Sequence, residues 1–173
     1  MLVNGKYGEY TDLYDENKNL TGEKLFREKG TKLIVPKGRY SVVVLVFIEN
    51  SSGEFLFQKT SKRKKNLWAT TGGHVKSGQS SIEAIIEEIK KELGITIFES
   101  EIKFFKTYKY NDAFKDVFYI KKDIDIKQLT YQKDEVDYVK YLTKNEILSL
   151  INNNGDIRKT NIDAFLDIIE NYY

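Results

Sequence analysis

The sequence predicts an α/β sandwich, with a mixed β-sheet at the centre and helices on its faces, folded as a single domain over residues 1–173. Three observations favour this class. Residues 40–50 (YSVVVLVFIEN) form an almost continuous apolar run rich in β-branched side chains, which is typical of a strand buried on both faces. Residues 81–93 repeat apolar side chains at helical spacing. Strand-like and helix-like segments alternate along the rest of the chain.

The first 38 residues are predicted as N-terminal preamble strands. Residues 9–27 (EYTDLYDENKNLTGEKLFR) read as two short strands around an Asp/Asn/Gly turn, and Pro36 precedes the buried strand at 40–50. NSSG is predicted to form a turn that connects the buried strand to a partner strand, EFLFQKT, at 54–60. A basic loop, SKRKKN, follows it and leads into LWATTGG.

The next segment is the strongest helix of the sequence. Ser80 is a cap with Glu83 completing a capping box, and Gly94 ends the helix. One apolar face is expected to be buried, formed by Ile82, Ile85, Ile86, Ile89 and Leu93.

The last part of the chain predicts three strands and two helices. The strands are expected at 102–110, 114–120 and 136–143. Thr143 and Glu146 form a second capping box that opens a helix at 144–154, and residues 161–173 form a closing amphipathic helix.

Composition excludes several kinds of site. The chain has no cysteine, so it has no disulfide, no thiolate metal site and no cysteine nucleophile, and its single histidine excludes sites that need two. A net charge of +2 requires neither nucleic acid nor an acidic membrane as partner. There is no signal-peptide pattern and no membrane-length apolar run, so a soluble cytoplasmic protein is expected.

Glutamates on the 81–93 helix indicate chemistry. Glu88 and Glu92 share one flank of the apolar face, where we expect them to be neither buried nor fully solvated, whereas Glu83 and Glu87 should project towards solvent. Two carboxylates beside a glycine-rich loop (Gly72, Gly73, Gly78) are the oxygen ligands that Mg²⁺ or Mn²⁺ prefers. The alternative is a solubilising helix flank.

The order of these residues resembles the signature of the Nudix hydrolase family: Gly, five residues, Glu, seven residues, then Arg-Glu-aliphatic-x-Glu-Glu-x-Gly-aliphatic. Here Gly73 is followed by HVKSG, Gln79, SSIEAII and EEIKKELGI. Residues 53–75 and 134–147 are also similar to segments of this family. The preamble is similar to that of the branch that includes the isopentenyl-diphosphate isomerases.

This resemblance implies a Nudix-type α/β/α sandwich that hydrolyses a diphosphate linkage with Mg²⁺ or Mn²⁺. The implied metal ligands are the Gly73 carbonyl, Glu88 and Glu92. Glu88, Glu92 and Glu135 are the implied catalytic residues, with Glu88 or Glu135 orienting or deprotonating the water. The alternative for Glu135 is a solvated loop acid.

Three side chains are candidates for binding an anionic substrate. Lys62 and Arg63 lie in the basic loop beside the implied cleft, and Arg63 could grip a phosphate with two nitrogens; the alternative is a solvated turn. His74 matches a metal-ligating histidine of the isomerases, or it could hydrogen-bond a neighbour. The substrate itself, a small-molecule diphosphate such as a nucleoside diphosphate derivative, is not specified further.

Three positions depart from the signature. Gln79 replaces the signature Glu and Glu87 the signature Arg, so the structural ion pair that the family forms between them is absent. Lys91 stands where a metal-binding Glu is expected. It either lies in the cleft, where it supplies positive charge and competes with a cation, or points to water.

The same residues bear on two other functions. Isomerase activity is rejected because the chain lacks the required cysteine and cannot build a three-histidine metal site. A Nudix-fold module that binds a nucleotide or diphosphate without cleaving it stays open, as does a homodimer.

Overall fold

The computed structural model describes residues 1–3 and 5–172, and within these ranges ten strands form two sheets accompanied by three α-helices. The strands are β1 (Leu2–Val3), β2 (Lys6–Tyr14), β3 (Leu20–Glu28), β4 (Ser41–Glu49), β5 (Glu54–Thr60), β6 (Trp68–Ala69), β7 (Gly72–His74), β8 (Lys103–Lys109), β9 (Ala113–Lys121) and β10 (Val136–Thr143). The helices are α1 (Ser81–Leu93), α2 (Lys144–Asn152) and α3 (Lys159–Tyr172).

The main sheet has the order β10-β5-β4-β9-β8, with β6 paired to β5 and β7 paired to β4. It is mixed because β4 and β9 run parallel while its other pairs are antiparallel. Helix α1 contributes to the core on one face, and α3 contributes to the core on the other. The structure therefore confirms the predicted α/β sandwich with a central mixed sheet.

Strand β4 shows why the 40–50 run is apolar throughout. Its even-numbered residues from Val42 to Ile48 pack in the core with α1, while Leu45 and Phe47 pack in the core with α3. Successive side chains of a strand point to opposite faces, so a strand between two helical layers needs apolar residues at nearly every position. The prediction of a strand buried on both faces is confirmed.

Most predicted boundaries lie within about two residues of those in the structure. The strand predicted at 136–143 is β10 itself, and Thr143 and Glu146 form the second capping box. Helix α3 begins two residues before the predicted 161, and the last residue of that prediction, Tyr173, lies outside the described residues. Among the described helices, none combines the length and apolarity needed to cross a membrane.

Helix α1 has the predicted ends but a rotated contact face. Ser80 forms the capping box with Glu83, and Gly94 ends the helix with a left-handed φ of 74°. Ile85, Ile89 and Leu93 are buried as predicted, together with Ala84, Glu88 and Glu92. The prediction was wrong for Ile82 and Ile86, which are only partly buried. At roughly 100° per residue, the buried side is centred between the isoleucines and the glutamates, which leaves these two isoleucines at its rim.

The N-terminal strands β1–β3 form a separate small sheet against the main one. Tyr14 and Tyr40 pair through their backbones, at 2.8 and 2.9 Å between N and O. The Thr11 hydroxyl donates to the Val75 carbonyl at 2.9 Å. The structure has strands β2 and β3 within the segment predicted as preamble, and they lie beside the loop that follows β7.

Candidate functional site

Gly73 and Glu88 approach each other too closely for any side chain at position 73. Gly73 pairs with Val44 in the main sheet, and α1 lies over this part of the sheet. A Cβ atom on residue 73 would lie 2.6 Å from Glu88 Cδ and 2.9 Å from Glu88 Oε1. Only glycine leaves room for the carboxylate at this point of the backbone.

Glu92 lies one helical turn further along α1 and is also buried, with 7% of its surface exposed. Gln58 on β5 donates from Nε2 to Glu92 Oε2 at 3.0 Å. Burial raises the pKa of Glu92 to about 7, against the opposing effect of the Gln58 hydrogen bond, and the negative charge of Glu88 raises it further. The two carboxylates therefore repel each other in a poorly solvated place.

Glu88 and Glu92 were expected to be neither buried nor fully solvated, and this prediction was wrong. Glu88 is 8% exposed, and burial raises its pKa although Lys91 opposes the shift. The reason is the rotation of α1 towards Ala84, Glu88 and Glu92 described above. Two carboxylates buried side by side are unfavourable without a compensating cation.

Lys91 supplies one such charge. Its Nζ lies 3.3 Å from Glu88 Oε1 and 3.4 Å from Oε2, and 46% of its side chain is exposed. Burial alone would lower the pKa of Lys91, but the charge and hydrogen bond of Glu88, together with the charges of Glu92 and Glu135, outweigh burial and leave the pKa raised. Lys91 therefore lies at the edge of the carboxylate pair as a charged, partly solvated partner of Glu88.

Glu87 and Gln79 still contact each other, although both differ from the residues of the family signature. Gln79 Nε2 donates to Glu87 Oε2 at 2.8 Å, and Lys76 Nζ donates to Glu87 Oε1. The hydrogen bond from Lys76, followed by that from Gln79, lowers the pKa of Glu87. The expectation that Glu87 projects towards solvent is met only in part: 41% of its side chain is exposed, and Lys76 of the loop before α1 pairs with it.

Glu135 lies on a loop held against the basic loop. Arg63 Nη2 and Lys64 Nζ lie 2.8 and 2.9 Å from its two carboxylate oxygens, and Ser61 Oγ donates to the Asp134 carbonyl at 2.7 Å. The charge of Glu135 contributes to raising the pKa of both Glu92 and Lys91. Glu135 therefore faces the same region as the helix carboxylates.

The predicted anion-binding side chains lie in different settings. Arg63 is engaged with Glu135 and, at 3.3 Å, with Asp134, while Lys62 is exposed on the short 3-10 helix Lys62–Lys64.

His74 follows Gly73 on β7 and so points to the opposite face of the sheet. Its Nδ1 is buried without a hydrogen-bond partner in the described part of the chain, contrary to the suggested bond with a neighbour. Burial, followed by the charge of Arg27, lowers the pKa of His74 to about 4.

The donor set at Gly73, Glu88 and Glu92 fits one hard divalent cation. It offers two carboxylates and a backbone carbonyl, and the space that a Cβ atom would fill at Gly73 lies directly against Glu88 Oε1. Within residues 1–3 and 5–172, no group of three or more acidic or histidine side chains could hold a metal ion.

The sequence analysis did not predict a role for Gln58. The signal that could have identified it is a polar residue at an inward position of the strand EFLFQKT.

Residues 39–163 match the family profile described as NUDIX domain. Two Nudix hydrolases described as uncharacterized, from Listeria monocytogenes and Listeria innocua, are each 36% identical over 146 residues, which cover 82% of this chain and 84% of each relative. The chain belongs to the Nudix family.

Solved structures show the same Nudix fold. The protein DR0079 from Deinococcus radiodurans has a TM-score of 0.76 at 18% identity, with 92% of this chain and 98% of that chain covered. A bifunctional NMN adenylyltransferase/ADP ribose pyrophosphatase from Francisella tularensis, complexed with AMP and a manganese ion, has a TM-score of 0.63 at 16% identity. The match covers 81% of this chain and 43% of that one. These likenesses confirm the Nudix sandwich predicted for this chain.

Proposed function

We propose that this Nudix protein is a pyrophosphohydrolase that cleaves a diphosphate linkage in a nucleoside diphosphate derivative or similar small molecule, with Mg²⁺ or Mn²⁺. One observation carries the proposal: the Glu88 carboxylate lies against the Gly73 backbone, with the buried Glu92 beside it. The family supports hydrolysis, and the manganese and AMP in the Francisella protein support this class of cofactor and substrate.

The residues of the site would have different roles in hydrolysis. Glu88, Glu92 and the Gly73 carbonyl would hold the cation, which supplies charge neutralisation to the diphosphate when bound. Glu135, fixed by Arg63 and Lys64, would orient the attacking water and accept its proton as the bond between a phosphorus and the bridging oxygen breaks. Glu88 is the alternative base.

Cations around the carboxylates would bind the phosphates. Lys62 is exposed beside the Arg63–Glu135 contact, and Lys91 lies at the edge of the carboxylate pair. Arg63 could grip a phosphate with two nitrogens once a substrate competes for it with Asp134 and Glu135, and Lys64 alone would then hold Glu135. His74 points to the opposite face of β7 and takes no part in this scheme.

A binding module without catalysis is the second candidate, and the Lys91–Glu88 ion pair favours it. The Lys91 ammonium already neutralises part of the charge that a cation would neutralise, so it can weaken the metal site.

A panel of diphosphate compounds separates the two functions. Purified protein is incubated with each compound and Mg²⁺, Mn²⁺ or a chelator, and phosphate-containing products are separated and quantified. Hydrolysis of at least one compound that stops with the chelator supports the enzyme. Binding of a compound, measured by calorimetry, with no product in any reaction would contradict the enzyme and support the binding module.

A further inference from the structure

Gln58 is a buried amide on β5 of the main sheet. It is 5% exposed, and in its strand it lies opposite Ala69 of β6 and Val139 of β10. Its Nε2 donates to Glu92 Oε2 at 3.0 Å across the space between β5 and α1. This is a contact between a strand and a helix 34 residues apart in the sequence.

The other end of the same amide has no partner. Gln58 Oε1 is buried and accepts no hydrogen bond from any described residue. Gln58 lines a small void together with apolar neighbours, among them Val46, Leu56 and Leu93. The void is too small to hold a water molecule. An unpaired carbonyl oxygen in such a place is unfavourable. An apolar side chain would avoid it, so the hydrogen bond to Glu92 is the contact that accounts for an amide here.

We propose that Gln58 is a positioning residue for the metal site: it holds Oε2 of Glu92 and so leaves Oε1 to face the cation together with Glu88 and Gly73. The inference rests on the proposed function, since it assigns a role towards the cation held there. An amide carries no charge and donates at every pH, so it fixes the carboxylate without competing with the cation as an ammonium does. Partners that orient a ligand in this way contribute strongly to metal affinity.

The test compares Gln58→Met with Asn161→Leu. Asn161 is a matched control because it is fully buried on α3, its Nδ2 donates to Thr70 Oγ1 at 2.8 Å, and its Oδ1 also lacks a partner in the described chain. Mn²⁺ affinity is measured by calorimetry on the full chain, alongside thermal unfolding. We expect Gln58→Met to weaken Mn²⁺ binding by about 10–100-fold, with a fall in kcat rather than a rise in KM, and Asn161→Leu to leave Mn²⁺ affinity unchanged.

Two further measurements keep the result decisive. If Gln58→Met does not fold, Gln58→Asn replaces it, because the shorter amide cannot reach Glu92 and the same loss is expected. Crystal structures of the metal-free wild type and variant show whether Glu92 keeps one side-chain conformer. Unchanged Mn²⁺ affinity or an unchanged Glu92 conformer in the variant would overturn the proposal. A wild type that binds no Mn²⁺ would defeat the proposed function instead, and the Glu92 conformers would still decide the role of Gln58.

Discussion

At the scale of single residues, the balance of charge around Glu88 decides how the site can work. Glu88 has Glu92 on one side and the Lys91 ammonium, 3.3 Å away, on the other. The exposed half of Lys91 is screened by water, so its contact with Glu88 stabilises the fold only weakly. We expect a larger effect on a cation held as proposed, because the Lys91 ammonium would compete for the same carboxylate oxygens. Lys91 would then act mainly on metal affinity.

Replacing Lys91 by the acid of the family signature should strengthen the site. We expect Lys91→Glu to tighten Mn²⁺ binding by about tenfold, which corresponds to roughly 1.4 kcal/mol, and to raise the rate of any hydrolysis that the panel detects. Calorimetric titration measures the affinity. Lys90→Glu is the control, because it makes the same charge change at the next, exposed position. Equal Mn²⁺ affinity in wild type and Lys91→Glu would show that Lys91 does not compete with the cation.

Part of this site could be predicted residue by residue. The spacing of Gly73, Glu88 and Glu92 is local in sequence, and the structure places Glu88 against Gly73. Gln58 and Lys76 could not be predicted as partners of Glu92 and Glu87. Their contacts depend on how β5 and the loop before α1 are placed relative to the helix, which no local pattern encodes.

At the scale of elements, the N-terminal sheet fixes the loop between β7 and α1. Asp12 on β2 accepts hydrogen bonds from Ser77 Oγ at 2.7 Å and from the Gly78 backbone at 2.8 Å. The Ser77 backbone donates to the Tyr10 carbonyl at 2.7 Å. This loop connects β7, which carries Gly73, to Ser80, the cap of α1, so the preamble strands stabilise the geometry between them.

Removing Asp12 should therefore loosen this loop. We expect Asp12→Ala to lower the free energy of unfolding by about 1–3 kcal/mol, because it leaves two donors without their acceptor, and to speed hydrogen exchange at residues 75–79. Asp15→Ala is the control, since within residues 1–3 and 5–172 the Asp15 side chain accepts hydrogen bonds only from Asn17 and Asn19 of its own turn. Unchanged exchange at 75–79 in Asp12→Ala would contradict the anchoring role.

Elements with strong local signals were predictable, and their mutual rotation was not. Ser80, Glu83 and Gly94 identify both ends of α1 from capping chemistry alone. The face that α1 buries is set by the sheet beneath it, and two carboxylates lie in that contact where an amphipathic pattern predicts apolar residues. This conflict between pattern and burial is the feature expected of a functional site.

At the scale of the whole molecule, contacts between the two sheets favour the predicted single domain. Lys18 in the turn between β2 and β3 pairs with the buried Asp116 of β9, and Thr11 bonds the Val75 carbonyl. We expect one cooperative thermal transition, with equal calorimetric and van't Hoff enthalpies. Two resolved heat-absorption peaks would show that the N-terminal sheet unfolds independently.

Lys115, which contacts α3, makes the free energy of unfolding depend on pH. It is buried on β9, where Nζ donates to the Thr160 carbonyl and to Tyr110 Oη at 2.6 Å, and burial lowers its pKa from 10.5 to about 8. Between these two values the unfolded chain binds more protons than the folded one, so this group makes stability rise with pH from about 8 to 10.5. Below pH 8 its full destabilising effect is present.

The variant Lys115→Met should lack this dependence. Its free energy of unfolding, measured by urea denaturation, is compared with that of the wild type across the same pH range. We expect the wild type to gain stability relative to the variant as pH rises through the window. A constant difference would mean that Lys115 keeps an ordinary pKa in the folded protein.

The most direct test of the account is Mn²⁺ binding and Mn²⁺-dependent hydrolysis in Glu92→Gln compared with Glu83→Gln. Glu92 is buried beside Glu88, whereas Glu83 is exposed and caps α1, a role that glutamine can keep. The central claim is that Glu92, Glu88 and Gly73 hold the cation that hydrolysis requires. It predicts that Glu92→Gln lowers Mn²⁺ affinity and turnover by more than about 100-fold, beyond the loss typical of a residue that only orients a ligand, while Glu83→Gln leaves both near the wild-type values. Equal effects of the two substitutions would contradict it.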